Sequence, residues 1–440
     1  MTTPSVALQN GKTVRDPRLD FFRGIAMFII FIAHTPRDFW ALWIPARFGF
    51  SDATETFVFC SGMASALAFG AVFQKRGWLM GAARVAYRVW QVYWAHICLF
   101  FAVLLLITTF DMIGLGNPNS KWPFVGSLNL VHFYTKTPEL LVGLFTLTYV
   151  PNYFDILPMY LVILAMIPIV MGLSRISLWA VAAFVVAMWL IANAPVFGLA
   201  PFNFPAEPWS ERKWFFNPLG WQLVFFTGFA FMRGWIKPPP VSRKLIWTAI
   251  VIVIVTLPFA YFRIYNAKPV DPALAEWTSW FKEQRKDMAP LISKSQFGIF
   301  RYVHFLATAY LAWVAVGPLG SRLKNWGKGQ IIVDTIRKVG QQSLAVFISS
   351  LVIAQFIGMI FKTVGNSWPI VTLGNFAGFA ALIAVAHIAA WFKSQPWRKP
   401  ATGVPHSPVQ TDRGSAAPGI LPTSAIGAAS APSMLNTPRD

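Results

Sequence analysis

The chain has 440 residues, of which 56% are hydrophobic and 12% are charged, and its formal net charge is +20. This apolar excess argues against a soluble enzyme, and the lack of alternating segments of ~10 residues argues against a transmembrane barrel. Because backbone amides in hydrocarbon must be satisfied within their own segment, the apolar runs predict helices. The expected fold is an all-α polytopic membrane protein.

Ten transmembrane helices are predicted in chain order, at about 21–41, 54–74, 84–109, 154–174, 177–195, 217–235, 245–264, 299–317, 341–361 and 370–392. The apolar segment 139–153 is short and reaches Pro151, so it is expected to lie at the membrane surface or to re-enter. A membrane domain, 21–392, therefore separates a cytoplasmic N-terminal segment, 1–20, from a tail, 393–440. The tail is rich in small and polar residues and is predicted to be disordered and cytoplasmic.

The basic residues are distributed asymmetrically about these helices. With the N-terminus in the cytoplasm, 23 Lys and Arg fall on the inner side and 14 on the outer side. This bias follows the positive-inside rule and predicts that both termini are cytoplasmic. The positive charge therefore indicates topology, and no nucleic-acid partner is expected.

Arg23 and His34 are costly residues within the first apolar run. Their separation of 11 residues is within about 20° of three full helical turns and corresponds to a rise of ~16 Å. Both should lie on one face, with Arg23 at the inner interface and His34 near the bilayer centre. A neutral imidazole there can act as a general base, and Asp38 or Glu55 is a candidate to orient it. The alternative is a snorkelling arginine and a hydrogen-bonded structural histidine.

Arg84 and Arg88 are four residues apart at the inner start of the third predicted helix, so they share a face. Two guanidinium groups suit phosphate oxygens, although a simple positive-inside anchor would look the same. With Arg23 they predict a cytoplasmic anion site that fits the phosphates of an acyl-CoA, whose thioester would reach His34. No histidine pair has metal-ligand spacing, so no metal is expected.

The arginine and histidine of the first helix, TFVFCSG (56–62) and RVAYR (84–88) with Tyr93 together resemble the opening of the membrane acyltransferase-3 superfamily. Further segments resemble its OpgC branch, namely 15–34, 153–168, 217–229, 301–313 and 340–347. The resemblance implies about ten helices in a bacterial inner membrane. It also implies succinyl transfer from cytoplasmic acyl-CoA to periplasmic glucans, with essential roles for Arg23, His34, Arg84 and Arg88. The co-substrate would be succinyl-CoA or acetyl-CoA, without a permanently bound cofactor.

Three alternatives are compatible with these patterns. The chain could acetylate another cell-envelope glycan, or it could be a transporter or flippase with an anion path. Gly- or Pro-broken half repeats, which favour transport, are not evident. A non-catalytic membrane scaffold would leave the buried His34 unexplained.

Overall fold

The computed structural model describes residues 8–9, 12–13, 16–115, 123–269, 271–324 and 326–398. In chain order its helices are α1 (Pro17–His34), α2 (Ala53–Met112), α3 (Val131–Thr135), α4 (Thr137–Phe145), α5 (Ile156–Leu173), α6 (Leu178–Ala192), α7 (Pro218–Arg233), α8 (Arg243–Ala260), α9 (Phe262–Tyr265), α10 (Pro272–Asp287), α11 (Ile299–Val316), α12 (Ser321–Lys324), α13 (Gln330–Gln341), α14 (Ser343–Thr363) and α15 (Trp368–Ser394). Two antiparallel strands of two residues, β1 (Leu8–Gln9) and β2 (Lys12–Thr13), precede them.

The predicted helical class is confirmed, since each of the ten predicted helices coincides with helical structure. Six described helices are long and apolar enough to cross a membrane, namely α2, α5, α8, α11, α14 and α15. The chain is therefore a multi-pass membrane protein, while ten crossings and cytoplasmic termini stay predictions. The described residues up to Ser394 form one unit. From residue 399 onward, the tail that is predicted to be disordered lies outside the described residues.

Helix α2 contains two of the predicted helices in one run of 60 residues. If straight it would be about 90 Å long, roughly three times the hydrocarbon thickness of a bilayer. The helix breaks at Gly77, where φ is 83° and ψ is 174°, a conformation that glycine adopts without steric cost. The Phe73 ring packs against Gly81 on the other side of the break. The run is therefore two helical arms that meet at a sharp bend.

The first helix ends earlier than predicted, at His34 instead of residue 41. Proline disfavours the helical conformation of the residue before it, and Thr35, which precedes Pro36, is extended with φ −81° and ψ 111°. Residues 35–52 form a connection with two short 3-10 turns, Phe39–Leu42 and Pro45–Arg47. His34 is therefore the last residue of its helix.

Within the apolar segment 139–153, helix continues only to Phe145, the end of α4. The nine residues of α4 rise only about 13 Å, which is too short to cross a bilayer. A surface or re-entrant position, as predicted for this segment, is compatible with that length.

Helix α7 lies in the centre of the bundle, where Trp221, Phe225 and Phe229 are fully buried. It packs on α2 through two glycines. A Cβ at Gly62 would overlap the backbone of Phe225, and one at Gly228 would overlap the backbone of Phe59. Small residues of this kind allow membrane helices to approach closely.

Candidate active site

Arg23 and Arg88 come together at one narrow cavity between α1, α2, α5 and α14. The cavity has a volume of about 20 Å³, close to the space that one water molecule needs. Its polar lining comes from Arg23, Ser61, Arg88, Tyr160 and Ser343. Arg23 is 9% exposed and donates a hydrogen bond from Nη2 to Oγ of Ser343. Two of the three arginines predicted to form an anion site therefore share a cavity.

The position of Ser343 follows from a close crossing of α1 and α13. A Cβ at Gly24 would overlap the backbone of Ile336, and one at Gly340 would overlap the backbone of Asp20. Since Gly340 is three residues before Ser343, this crossing brings the start of α14 beside α1. The Arg23 guanidinium reaches the serine hydroxyl there.

The third predicted arginine, Arg84, has a different environment from Arg88. Arg84 is exposed, and its guanidinium carbon lies 5.8 Å from the centre of the Tyr87 ring. Arg88 is half-buried, and its Nη1 donates to Oε1 of Gln91 at 3.1 Å. The shared helix face of the two arginines was predicted, but only Arg88 reaches the lining of the Arg23 cavity.

The imidazole of His34 is oriented by its own helix. Nδ1 lies 2.8 Å from the carbonyl oxygen of Ile30. Since a carbonyl only accepts hydrogen bonds, Nδ1 carries the hydrogen of the neutral ring and Nε2 carries the lone pair. Within the described part of the chain, no hydrogen bond occupies Nε2. The ring is therefore set up to accept a proton at Nε2.

Tyr153 packs edge-on against His34, with the ring centres 5.4 Å apart. Its hydroxyl donates to the carbonyl oxygen of Leu351 at 2.7 Å, which ties this contact to α14. The backbone of Tyr153 has φ 91°, which is rare and strained for a residue with a side chain. Strained residues of this type cluster at functional sites.

Beside His34 lies a charged cluster formed by Asp52, Glu55, Lys294 and Arg301. Lys294 Nζ is 2.5 Å and Arg301 Nη2 is 3.3 Å from the same oxygen, Oδ2, of Asp52. Arg301 also pairs through Nε with Glu55, which is fully buried. The charges of Lys294 and Asp52 act on the His34 imidazole. Two basic side chains and two carboxyl side chains are thus gathered near the histidine.

Lys294 and Arg301 keep the Asp52 carboxylate of this cluster ionised. Burial alone would raise the pKa of Asp52, but the facing charges of Lys294 and Arg301 outweigh burial and hold this pKa well below its ordinary value. The same carboxylate caps α2, because Oδ1 accepts from the backbone N–H of Thr54 at 2.7 Å. Asp52 therefore remains ionised and joins the helix start to the cluster.

The two carboxylates predicted to orient His34 make other contacts. Glu55 accepts from the backbone N–H of Asp52 at 2.8 Å and pairs with Arg301. Asp38 accepts from the backbone N–H of Trp40 at 2.8 Å, and burial raises the pKa of its carboxyl. The orienting group that the structure shows for His34 is the Ile30 carbonyl. An orienting role for Asp38 or Glu55 stays a prediction.

The comparison with protein families supports the family assignment that the motifs in 15–34 and 84–88 suggest. A family model described as OpgC protein matches residues 15–394. The chain belongs to the OpgC family. Neither a curated protein nor a solved structure matches it. OpgC membership supports a membrane acyltransferase that modifies glucans.

Several residues of the candidate site were not predicted from the sequence. Arg301 and Lys294 join the charged cluster, Ser343 binds Arg23, and Tyr153 packs on His34. Arg301 carried a usable signal, because a charge in the apolar helix 299–317 is as costly as Arg23. Lys294 lies in a polar loop, where a lysine is unremarkable.

Proposed function

We propose that this OpgC-family chain transfers a succinyl group from cytoplasmic succinyl-CoA to a hydroxyl of a periplasmic glucan, with His34 as general base. The observation that carries the proposal is the geometry of His34. Its Nδ1 is tied to Ile30, which directs the lone pair of Nε2 away from its own helix. The same helix carries Arg23, which lines a cavity with Arg88 and can receive the donor phosphates.

In the proposed reaction, Nε2 of His34 takes the proton from a glucan hydroxyl as the hydroxyl oxygen attacks the thioester carbonyl. The tetrahedral intermediate collapses, the carbon–sulfur bond breaks, and the succinyl group stays on the glucan as an ester. The proton on His34 passes to the departing thiolate, so that CoA leaves as a thiol. The enzyme returns to its starting state without a metal or redox step.

The two parts of the site are separated along α1 in a way that suits this donor. Arg23 and His34 differ by a rise of ~16 Å, comparable in scale to an extended pantetheine arm. The diphosphate would rest at Arg23 and Arg88 while the thioester reaches His34. Because the cavity beside the arginines holds only about 20 Å³, the surrounding helices must separate for the arm to enter.

Lys294 is the cation that we assign to the free carboxylate of a succinyl group. Its side chain is 32% exposed and its charge reaches His34. Asp52, its present partner, is also paired with Arg301. Lys294 can therefore turn to a substrate carboxylate without leaving Asp52 unpaired.

A donor comparison tests the proposed function. The purified protein is given a β-glucan with succinyl-CoA or acetyl-CoA, and free CoA and glucan ester are measured. We expect turnover with succinyl-CoA, and a Lys294→Met variant should lose about tenfold in kcat/KM for succinyl-CoA while acetyl-CoA is little affected. Lys268→Met, which changes an exposed loop lysine, is the matched control.

Three outcomes would each contradict one part of the proposal. Absence of CoA release with both donors contradicts the enzyme assignment and favours transport. Faster turnover with acetyl-CoA than with succinyl-CoA contradicts the assigned acyl group. Equal effects of Lys294→Met on the two donors would remove the role given to Lys294.

A further inference from the structure

A second, larger cavity lies at the same end of the bundle as His34, beside α9 and α10. It is an open cleft with a volume of about 710 Å³, and the α10 side chains that line it are exposed apart from the half-buried Arg285. Its polar lining is Tyr265, Ser279, Lys282, Glu283, Arg285 and Lys286. Three cations thus face one carboxylate, which gives the cavity a positive balance.

Most of the charged lining lies on one face of helix α10. Ser279, Lys282, Glu283 and Lys286 recur at three- and four-residue intervals, so they share one face. Trp277 lies about 120–180° around the helix from these residues and is 60% exposed. Tryptophan prefers the membrane interface, so the opposite, charged face is directed away from lipid.

The lining contains one aromatic ring, Tyr265, and one guanidinium group, Arg285, and the two contact each other. Arg285 Nη1 donates to the carbonyl oxygen of Phe259 at 2.5 Å, and its guanidinium carbon is 4.9 Å from the centre of the Tyr265 ring. Sugar rings combine an apolar C–H face, which packs on aromatic rings, with hydroxyl edges that hydrogen-bond to charged groups. The lining offers both kinds of contact.

Two features place this cavity near the His34 site. Ile292 lines the cavity and is two residues before Lys294 of the charged cluster. In the connection that follows His34, Phe48 stacks on Tyr261 with the ring centres 5.1 Å apart. The guanidinium carbon of Arg263 lies 5.4 Å from the centre of the Trp43 ring. Tyr261 and Arg263 lie four and two residues before Tyr265, which lines the cavity. The cavity lining therefore lies near both the charged cluster and the connection that follows His34.

We propose that this cavity, defined by Tyr265, Ser279, Lys282, Glu283, Arg285 and Lys286, binds a glucan segment that already carries carboxylate substituents. The inference rests on the proposed function, since it supplies the acceptor side of the same reaction. An uncharged glucan would need no positive balance, whereas a partly succinylated chain is attracted to it. Retention of the modified glucan segment would keep unmodified sugar units of the same glucan near His34.

Equilibrium binding tests this inference without turnover. The full protein in nanodiscs of neutral lipid is titrated with a β-glucan oligosaccharide, either unmodified or succinylated with succinic anhydride. We expect the succinylated probe to bind more tightly, and K282A/K286A to weaken its binding about tenfold or more. The matched control is K136A/K268A, which removes two exposed lysines outside the cavity and should leave the Kd within about twofold.

Other outcomes overturn the inference. Equal Kd values for the two probes, or equal weakening by the two double variants, would contradict an anionic-glucan site. Loss of probe binding when anionic lipid is added at constant ionic strength would assign the cations to lipid headgroups. If binding behaves as expected but no ester forms under any condition, the proposed enzymatic function fails and the cavity remains a binding site.

Discussion

Arg84 and Arg88 lie on the same helix face but have different surroundings. The four-residue spacing predicts a shared face, and both guanidinium groups belong to α2. In the structure Arg88 borders the Arg23 cavity, whereas Arg84 is exposed beside Tyr87. Helical periodicity does not show which neighbouring helices cover a face. The different exposure of Arg84 and Arg88 could therefore be seen only in the tertiary structure.

This difference leads to a prediction about donor affinity. We expect Arg88→Ala to raise the KM for succinyl-CoA about tenfold or more, because a charge-assisted contact to phosphate is lost. Arg84→Ala should raise it by no more than about twofold, since an exposed guanidinium is screened by solvent. Steady-state kinetics with varied donor checks both values. A larger effect from Arg84→Ala would place the phosphates outside the Arg23 cavity.

The charged cluster predicts a pH dependence of stability. The pKa of Asp52 is lower in the folded protein than in the unfolded chain. Its stabilising effect is therefore complete above the unfolded value of about 4 and is lost as pH falls below it. Asp52→Asn should reduce the free energy of unfolding by about 2 kcal/mol at neutral pH, and this deficit should shrink toward about pH 3.

Asparagine is a clean probe at this position because it remains a good helix cap. Chemical unfolding in detergent, measured for both proteins from about pH 7 to about pH 3, follows the difference between them. Asp271→Asn, at the exposed cap of α10, is the control and should show little deficit at any pH. A deficit for Asp52→Asn that persists unchanged in acid would rule out the charge as its source.

At the scale of elements, helices were easier to predict than their ends. Apolar composition identifies a membrane helix because the backbone has no other way to satisfy its amides. The end of α1 depends on one local feature, Pro36, and the bend of α2 depends on Gly77. The helix predicted from apolar composition runs past Pro36 to residue 41, because composition alone does not mark where a proline ends the helix.

The crossing of α2 and α7 gives a prediction about stability. A methyl group at Gly228 would overlap the backbone of Phe59, so Gly228→Ala should destabilise the protein by about 1–3 kcal/mol. At Gly172, near the end of α5, a Cβ meets its nearest neighbour at 3.5 Å. Gly172→Ala should be neutral or stabilising by up to about 1 kcal/mol. Equal unfolding midpoints in detergent for the two variants would argue against the close α2–α7 contact.

At the scale of the whole molecule, charge asymmetry and the site geometry lead to one arrangement. The basic bias predicts the N-terminal side of α1 in the cytoplasm. With that orientation, we expect Arg23 and Arg88 to face the cytoplasm, and His34, the charged cluster and the larger cavity to lie toward the periplasm. The family assignment was accessible from motifs, but the second cavity was not, because most of its lining comes from α10, a polar helix that no apolar run marks in the sequence.

The central claim is that the acyl group crosses from one membrane side to the other past His34. The most direct measurement uses sealed proteoliposomes with labelled succinyl-CoA only inside and a β-glucan only outside. The wild type should release succinylated glucan to the outside, and His34→Gln, which removes the basic nitrogen, should reduce the rate at least about 100-fold. Wild-type rates with His34→Gln, or ester formation only when donor and glucan share one side, would contradict the account.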